Sequence, residues 1–176
     1  MRPWNGTFGG YVNPSSWQHR SGGSVSLSAV RGRDYCFSAR ARDALGNTSG
    51  WTRARCTALP LDDRSLTRSC GWRVGTSSRD YAGTWARASN RGAQLTISGA
   101  QVRRIALVVL ECPFCGSIAI YIGGSYWKTV NTHATTATYK LILLEGVTNL
   151  RSVTIVLKIT SNGKPVTIDG LGISRT

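Results

Sequence analysis

"ECPFCGSIAIYIGGSYWKTVN", Glu111 to Asn131, decides how this chain is read. Ile118, Ile120 and Ile122 alternate with Ala119 and Tyr121, Gly123-Gly124 interrupts the run, and a second β-rich run follows from Tyr126 to Asn131. Period-two alternation on both sides of a Gly-Gly pair predicts a hairpin, because the central positions of such a tight turn require positive φ. Outward from this hairpin the pattern recurs. Short alternating runs rich in Val, Ile, Thr and Tyr predict strands over 94–98, 104–110, 117–122, 126–131, 137–144, 152–160 and 166–174. Helical periodicity is nearly absent, so the chain reads as all-β.

Cys112 and Cys115 flank Pro113-Phe114 just before the hairpin. A redox pair needs a thiolate stabilised at a helix amino terminus, but Gly116 and a strand follow. A zinc site needs four ligands, and Cys70, His19 and His133 offer no ligand-like spacing. A disulfide across a four-residue turn asks only for Cα atoms within about 7 Å. The motif is therefore expected to be a staple, with a redox or metal role for Cys112 and Cys115 as the alternative.

Upstream, "RDYCFSARARDALGNTSGWTRARCT" (33–57) holds another hairpin. Tyr35, Phe37, Ala39 and Ala41 share one face, a turn spans 43–50, and a return strand runs from about Trp51 to Thr57. Folding about the turn opposes residues whose numbers add to 92, so Cys36 faces Cys56 on the outer side. Directly opposed Cβ atoms lie about 4.5–5.5 Å apart, close to disulfide reach. Paired structural cysteines imply an oxidising compartment, and Cys70 is left over.

Apolar residues are 41% of the chain and charged residues 17%, enough to build a core. Twenty-two Lys and Arg against eight Asp and Glu give a net charge of +14, which favours polyanionic partners. The basic residues are mostly Arg and scattered singly, so a solvated basic surface is expected, with charge-driven nucleic-acid binding as the alternative. No stretch approaches the roughly 18 apolar residues of a membrane helix. "MRPWNGTFGG" has no apolar h-region, so a signal peptide is not expected in this chain.

The carboxylates are Asp34, Asp43, Asp62, Asp63, Asp80, Glu111, Glu145 and Asp169. Asp62 and Asp63 form the one close pair, but "ALPLDDRSLTRS" (58–69) reads as a polar joint, so solvated linker charge is expected there. Asp169, in "IDGLG", is assigned to the last strand or its turn, with a cation or sugar-hydroxyl site as the alternative. There is no G-x-S-x-G elbow, P-loop or dinucleotide fingerprint, and His19 and His133 are isolated. These observations argue for a non-catalytic protein without a cofactor. Trp72, Tyr81, Trp85, Tyr126 and Trp127 lie in or beside predicted loops and hairpin ends, where flat rings can stack on sugars. Tyr126 and Trp127 are strand neighbours facing opposite ways, so one of them is expected outside the core.

The run "VRGRDYCFSARARDALGNTSGW" resembles the final hairpin of a fibronectin type III domain, through Tyr35, Phe37, Ala39, Ala41, Asp43, Gly46-Asn47 and Trp51. Tyr35 falls where such sandwiches carry a tyrosine corner. About thirty residues precede Val30, so the resemblance implies the carboxy-terminal part of that domain over 1–58, lacking its first strands, then a linker over 59–69. Over 70–176, "SSRDYAGTW", "IAIYIGGSYWKTVN" and "VTIDGLGIS" resemble jelly-roll sandwiches of secreted bacterial proteins, some of them carbohydrate-binding modules. The whole arrangement is similar to the carboxy-terminal region of secreted actinobacterial proteins, and the excess of Arg over Lys suits a high-G+C genome. The resemblance implies an extracellular or cell-surface module that binds a surface glycan, acidic or neutral, or a cell-wall polymer, or that spaces a larger protein. Cys70 and the incomplete first sandwich also permit a dimer.

Overall fold

A computed structural model describes residues 1–3, 8, 10–144, 147 and 151–176. Glu145 lies outside the described residues. Two compact units result, residues 1–59 and 60–176.

In the first unit three short antiparallel strands form one sheet: β1 (Arg2–Pro3), β2 (Asp34–Phe37) and β3 (Arg55–Ala58), with β2 central. The β2/β3 register pairs Asp34 with Ala58, Tyr35 with Thr57, Cys36 with Cys56 and Phe37 with Arg55, as the sum rule predicts. Cys36 and Cys56 form a disulfide. Nearer the turn the register slips: Thr52 N donates to Ala39 O, and Arg42 bridges Thr48. This slip makes β3 shorter than the expected strand from Trp51. Asp43 closes the turn by accepting from Asn47 N at 2.8 Å, and Gly46 supplies the positive φ. Tyr35 is buried, and its hydroxyl accepts from Val30 N at 2.8 Å. Cys36 is also buried, so the outer side expected for it is covered; only Cys56 is exposed.

The second unit is a two-sheet antiparallel β-sandwich. Its strands are β4 (Leu61–Asp62), β5 (Thr67–Arg68), β6 (Arg73–Thr76), β7 (Thr84–Ala88), β8 (Gln94–Val102), β9 (Arg104–Glu111), β10 (Ser117–Ile122), β11 (Ser125–Asn131), β12 (Thr138–Leu144), β13 (Arg151–Ile159) and β14 (Val166–Ser174). One sheet runs β11-β10-β13-β8-β5; the other runs β12-β9-β14-β7-β6, with β4 also pairing β14. Gly123 and Gly124 both take positive φ and join β10 to β11. The core comes from alternate residues of both sheets, among them Leu95, Leu107, Ile118, Ile120, Ile155, Leu157, Ile168 and Leu171, all fully buried. Cys112 and Cys115 are joined by a disulfide at the entry to β10.

The stretch 61–68 is folded into the second unit, and its carboxylates are not solvated as expected. β4 pairs with β14 at Gly170↔Asp62 and Leu171↔Leu61, carrying Asp62 and Asp63 out of solvent. The Thr84 hydroxyl contacts both carboxylates, at 2.9 and 2.7 Å. Desolvation of Asp62 is outweighed by bonds from Arg64, Asp63 and Thr84, which lower its pKa to about 2; burial raises that of Asp63.

Candidate functional site

Strand alternation fixes what each sheet shows to solvent. In β9, Ile105, Leu107 and Val109 point to the core, leaving Ala106, Val108 and Leu110 on the outer face. Register carries that face across the sheet, to Tyr139, Leu141 and Leu143 on β12 and to Thr167, Gly170 and Gly172 on β14. Thr167 opposes Arg87, which opposes Arg73, and Trp85 opposes Gly75. Asp169 is the extra residue of a β-bulge between Ile168 and Gly170.

Glycine makes this face hollow at two places. A Cβ on Gly75 would overlap the Trp85 indole, so the ring lies flat against the β6 backbone. A Cβ on Gly170 would come within 3.2 Å of the Tyr81 ring and 2.7 Å of Leu61 O. Tyr81 is tied down twice: its hydroxyl donates to Pro60 O at 2.8 Å and its N–H to Asp169 Oδ2 at 2.7 Å. It opens a tight loop in which the next residue, Ala82, adopts φ 59, a left-handed conformation that a non-glycine residue holds only under constraint.

Asp80, in the same loop, is buried; the Tyr139 hydroxyl approaches its carboxylate, which no other donor among the described residues meets. Asp169 Oδ1 is unpaired. Burial pushes the Asp169 pKa up to about 6, with the Asp80, Asp63 and Asp62 charges adding to the rise against the bond from Tyr81 N. Burial, then the hydrogen bond to Asp80 and the Asp80 and Asp169 charges, raise the Tyr139 hydroxyl to about 12, while the Arg87 guanidinium acts the other way. Asp80 and Arg87 therefore both act on Tyr139 at one end of the sheet. A groove of about 520 Å³ runs there, lined by Ser77, Arg79, Leu110, Ala137, Thr138 and Tyr139. Tyr139 and the exposed Arg79 line this groove, with Trp85, Arg87 and the buried Asp80 outside its lining; a ring to stack on and a guanidinium to donate can hold a polyhydroxylated ring.

The five aromatics singled out in the sequence separate. Tyr81 and Trp85 lie on this outer face. Tyr126 lies on the other sheet's outer face, 60% exposed and edge-on to Tyr121 with ring centres 5.9 Å apart. Trp127 sits at a bulge in β11 and packs against the core, as does Trp72, whose indole N–H is unpaired. Arg87 and Tyr139 were not singled out, and Asp80 only as one of the carboxylates; the buried carboxylate that marks them depends on long-range packing.

A smaller cleft of about 370 Å³ lies at the Cys112–Cys115 staple, lined by Gly116, Ser117, Asn131, His133, Ser161 and Lys164 among others. Among the described residues no group of three or more His, Cys, Asp or Glu side chains is placed to hold a metal ion. No helix is long and apolar enough to cross a membrane among the described residues.

No family model matches the chain. No curated protein matches it either. Solved structures do. The Agl-KA catalytic domain superposes with a TM-score of 0.55 at 12% identity, over 67% of this chain, which spans only 27% of that protein. The CBM36-1 domain of a multidomain xylanase from the hindgut metagenome of Trinervitermes trinervoides gives 0.51 at 17% identity, over 66% of this chain and 95% of its own. CsCBM6-3 from Clostridium stercorarium, solved with cellobiose, gives 0.51 at 13%, over 66% and 93%. About two thirds is also the share of the chain that residues 60–176 make up. The chain is all-β, and its structural neighbours include jelly-roll sandwiches of the carbohydrate-binding-module type.

Proposed function

We propose that residues 60–176 are a non-catalytic glycan-binding module of a secreted protein, and that the outer face of the β12-β9-β14-β7-β6 sheet is its binding surface. One observation carries the reading: the buried Asp80 carboxylate is met by the Tyr139 hydroxyl and by no other donor among the described residues, and Tyr139 lines the groove. A carboxylate can accept several hydrogen bonds, so a sugar hydroxyl can add to the contact that Tyr139 makes. Arg87 supplies donors, and Tyr139, Tyr81 and Trp85 supply rings. Two of the similar sandwiches are named as carbohydrate-binding modules, one of them solved with cellobiose, which supports the ligand class.

The first unit, on this reading, is the end of a fibronectin type III domain. The bond from Val30 N to the Tyr35 hydroxyl is the contact a tyrosine corner makes. Two disulfides suit an extracellular location. The test is an array of soluble and insoluble glycans probed with the full chain, with Tyr139→Ala and Tyr126→Ala in parallel. Binding that is lost in Tyr139→Ala and kept in Tyr126→Ala supports the surface assigned here. An array without a bound glycan removes the function, and loss in Tyr126→Ala alone moves the site to the opposite sheet. A reaction product released from a bound glycan would contradict the non-catalytic assignment.

A further inference from the structure

The sign of the molecular surface is more one-sided than the net charge suggests. Asp34, Asp62, Asp63, Asp80, Glu111 and Asp169 are all buried, so Asp43 is the one exposed carboxylate among the described residues. Arg73, Arg79, Arg91, Arg103, Arg104 and Lys164 of the second unit are exposed. Such a surface attracts anions of every kind, so a specific site needs cations fixed in one geometry.

Arg87 meets that requirement. Its guanidinium lies 4.8 Å from the Trp85 ring centre, and its Nε donates to Thr167 Oγ1 at 2.8 Å. Thr167 is fully buried, and Trp85 is pressed against Gly75, so both supports are rigid. Stacking and a pinned Nε leave the two terminal nitrogens as a preorganised fork without a hydrogen-bond partner among the described residues. No ion pair reaches Arg87 or Arg73 among the described residues. Arg73 stands directly opposite Arg87 across β6 and β7. Two cations in a cross-strand pair repel each other, and an anion bound between them removes the repulsion.

We infer that the Arg87 fork, with Arg73 beside it, receives the carboxylate or other acidic substituent of an acidic polysaccharide lying across this face. This rests on the glycan-binding reading and narrows it: the sugar ring occupies the groove at Tyr139 and Asp80, and the acidic group is read by Arg87. Arg87→Lys keeps the charge and loses the fork, which separates geometry from charge. Arg73→Gln changes an exposed side chain and serves as a second variant that leaves the supports of the site intact.

The test is calorimetric titration of the full chain with hexagalacturonate, with its fully methyl-esterified form, and with a single-stranded DNA hexamer, each at two salt concentrations. The wild type is expected to bind the free acid at least about tenfold more tightly than the ester. Arg87→Lys should weaken acid binding at least about tenfold more than ester binding and so remove that preference, and Arg73→Gln should weaken acid binding without lowering thermal stability. Equal binding of acid and ester, or an Arg87→Lys variant that keeps the preference, overturns the inference and leaves a neutral-glycan module standing. Silence toward both sugars overturns the inference, and the glycan array then decides whether the broader reading falls with it. DNA binding as tight as that of the free acid, weakened equally by both variants, overturns it in favour of charge-driven nucleic-acid binding.

Discussion

Arg73 and Arg87 face each other directly in the β6/β7 ladder, with no acidic partner for either among the described residues. Like charges in this position destabilise a sheet by a few tenths of a kcal/mol up to about 1. Arg73→Gln should therefore raise the melting temperature of the second unit without ligand by about 1–4 °C at low salt. The gain should shrink in 0.5 M NaCl, where the repulsion is screened. A gain independent of salt would assign the effect to something other than charge.

Gly75 is needed for lack of a side chain, because any Cβ there overlaps the Trp85 ring. Gly75→Ala must displace the indole and with it the stacked Arg87. The expected cost is about 1–3 kcal/mol, the range for overpacking, read as a lower denaturation midpoint. Loss of glycan affinity should accompany it; full affinity in a stably folded Gly75→Ala would show that the Trp85–Arg87 stack is not part of the site.

Asp169 predicts a pH dependence of stability. Its folded pKa is raised from 3.8 to about 6, so between those values the native state keeps a proton that the unfolded chain has released. Stability from this group is therefore lost as pH rises through that window, and the penalty is fully present above pH 6. Asp169→Asn should stabilise the protein at pH 7.5 and give no gain at pH 3.5, checked by thermal unfolding at both. A variant destabilised at pH 7.5 would show that the ionised carboxylate is held by a favourable partner.

The two disulfides should differ in effect. Cys36–Cys56 closes a separation of 20 residues in a unit with a short three-stranded sheet, and its removal should cost roughly 3 kcal/mol; Cys112–Cys115 spans 3, and its removal should cost roughly 2. Cys→Ser pairs followed by calorimetry should show the first unit losing cooperative folding before the second. Retained glycan binding in Cys112→Ser/Cys115→Ser would agree with a structural staple.

Much of this architecture was legible because it is local. The hairpin register at Cys36↔Cys56 follows from the turn position, and Gly123-Gly124 announces its own turn. The expected strands over 117–122 and 166–174 coincide with β10 and β14, short β-rich runs bounded by turn residues, although β14 is buried on both faces. β6 and β7 were not expected: Gly75 interrupts one, and "TWARA" offers little alternation of hydrophobicity. Asp62 and Asp63 looked like linker charge because what buries them is β14, more than a hundred residues away in sequence. The site suffers from the same limit. Tyr81 and Trp85 stand out as aromatics, but Arg87, Tyr139 and Asp80 acquire meaning only when β12, β14 and β7 are brought onto one face.

The most direct test of the account is an amide NMR titration of the full chain with the glycan that the array selects. The account predicts shifts concentrated in the 77–83 loop and in β6, β7 and β12, around Asp80, Arg87 and Tyr139. Shifts confined to β10 and β11 around Tyr121 and Tyr126, or an unchanged spectrum at saturating glycan, would contradict it.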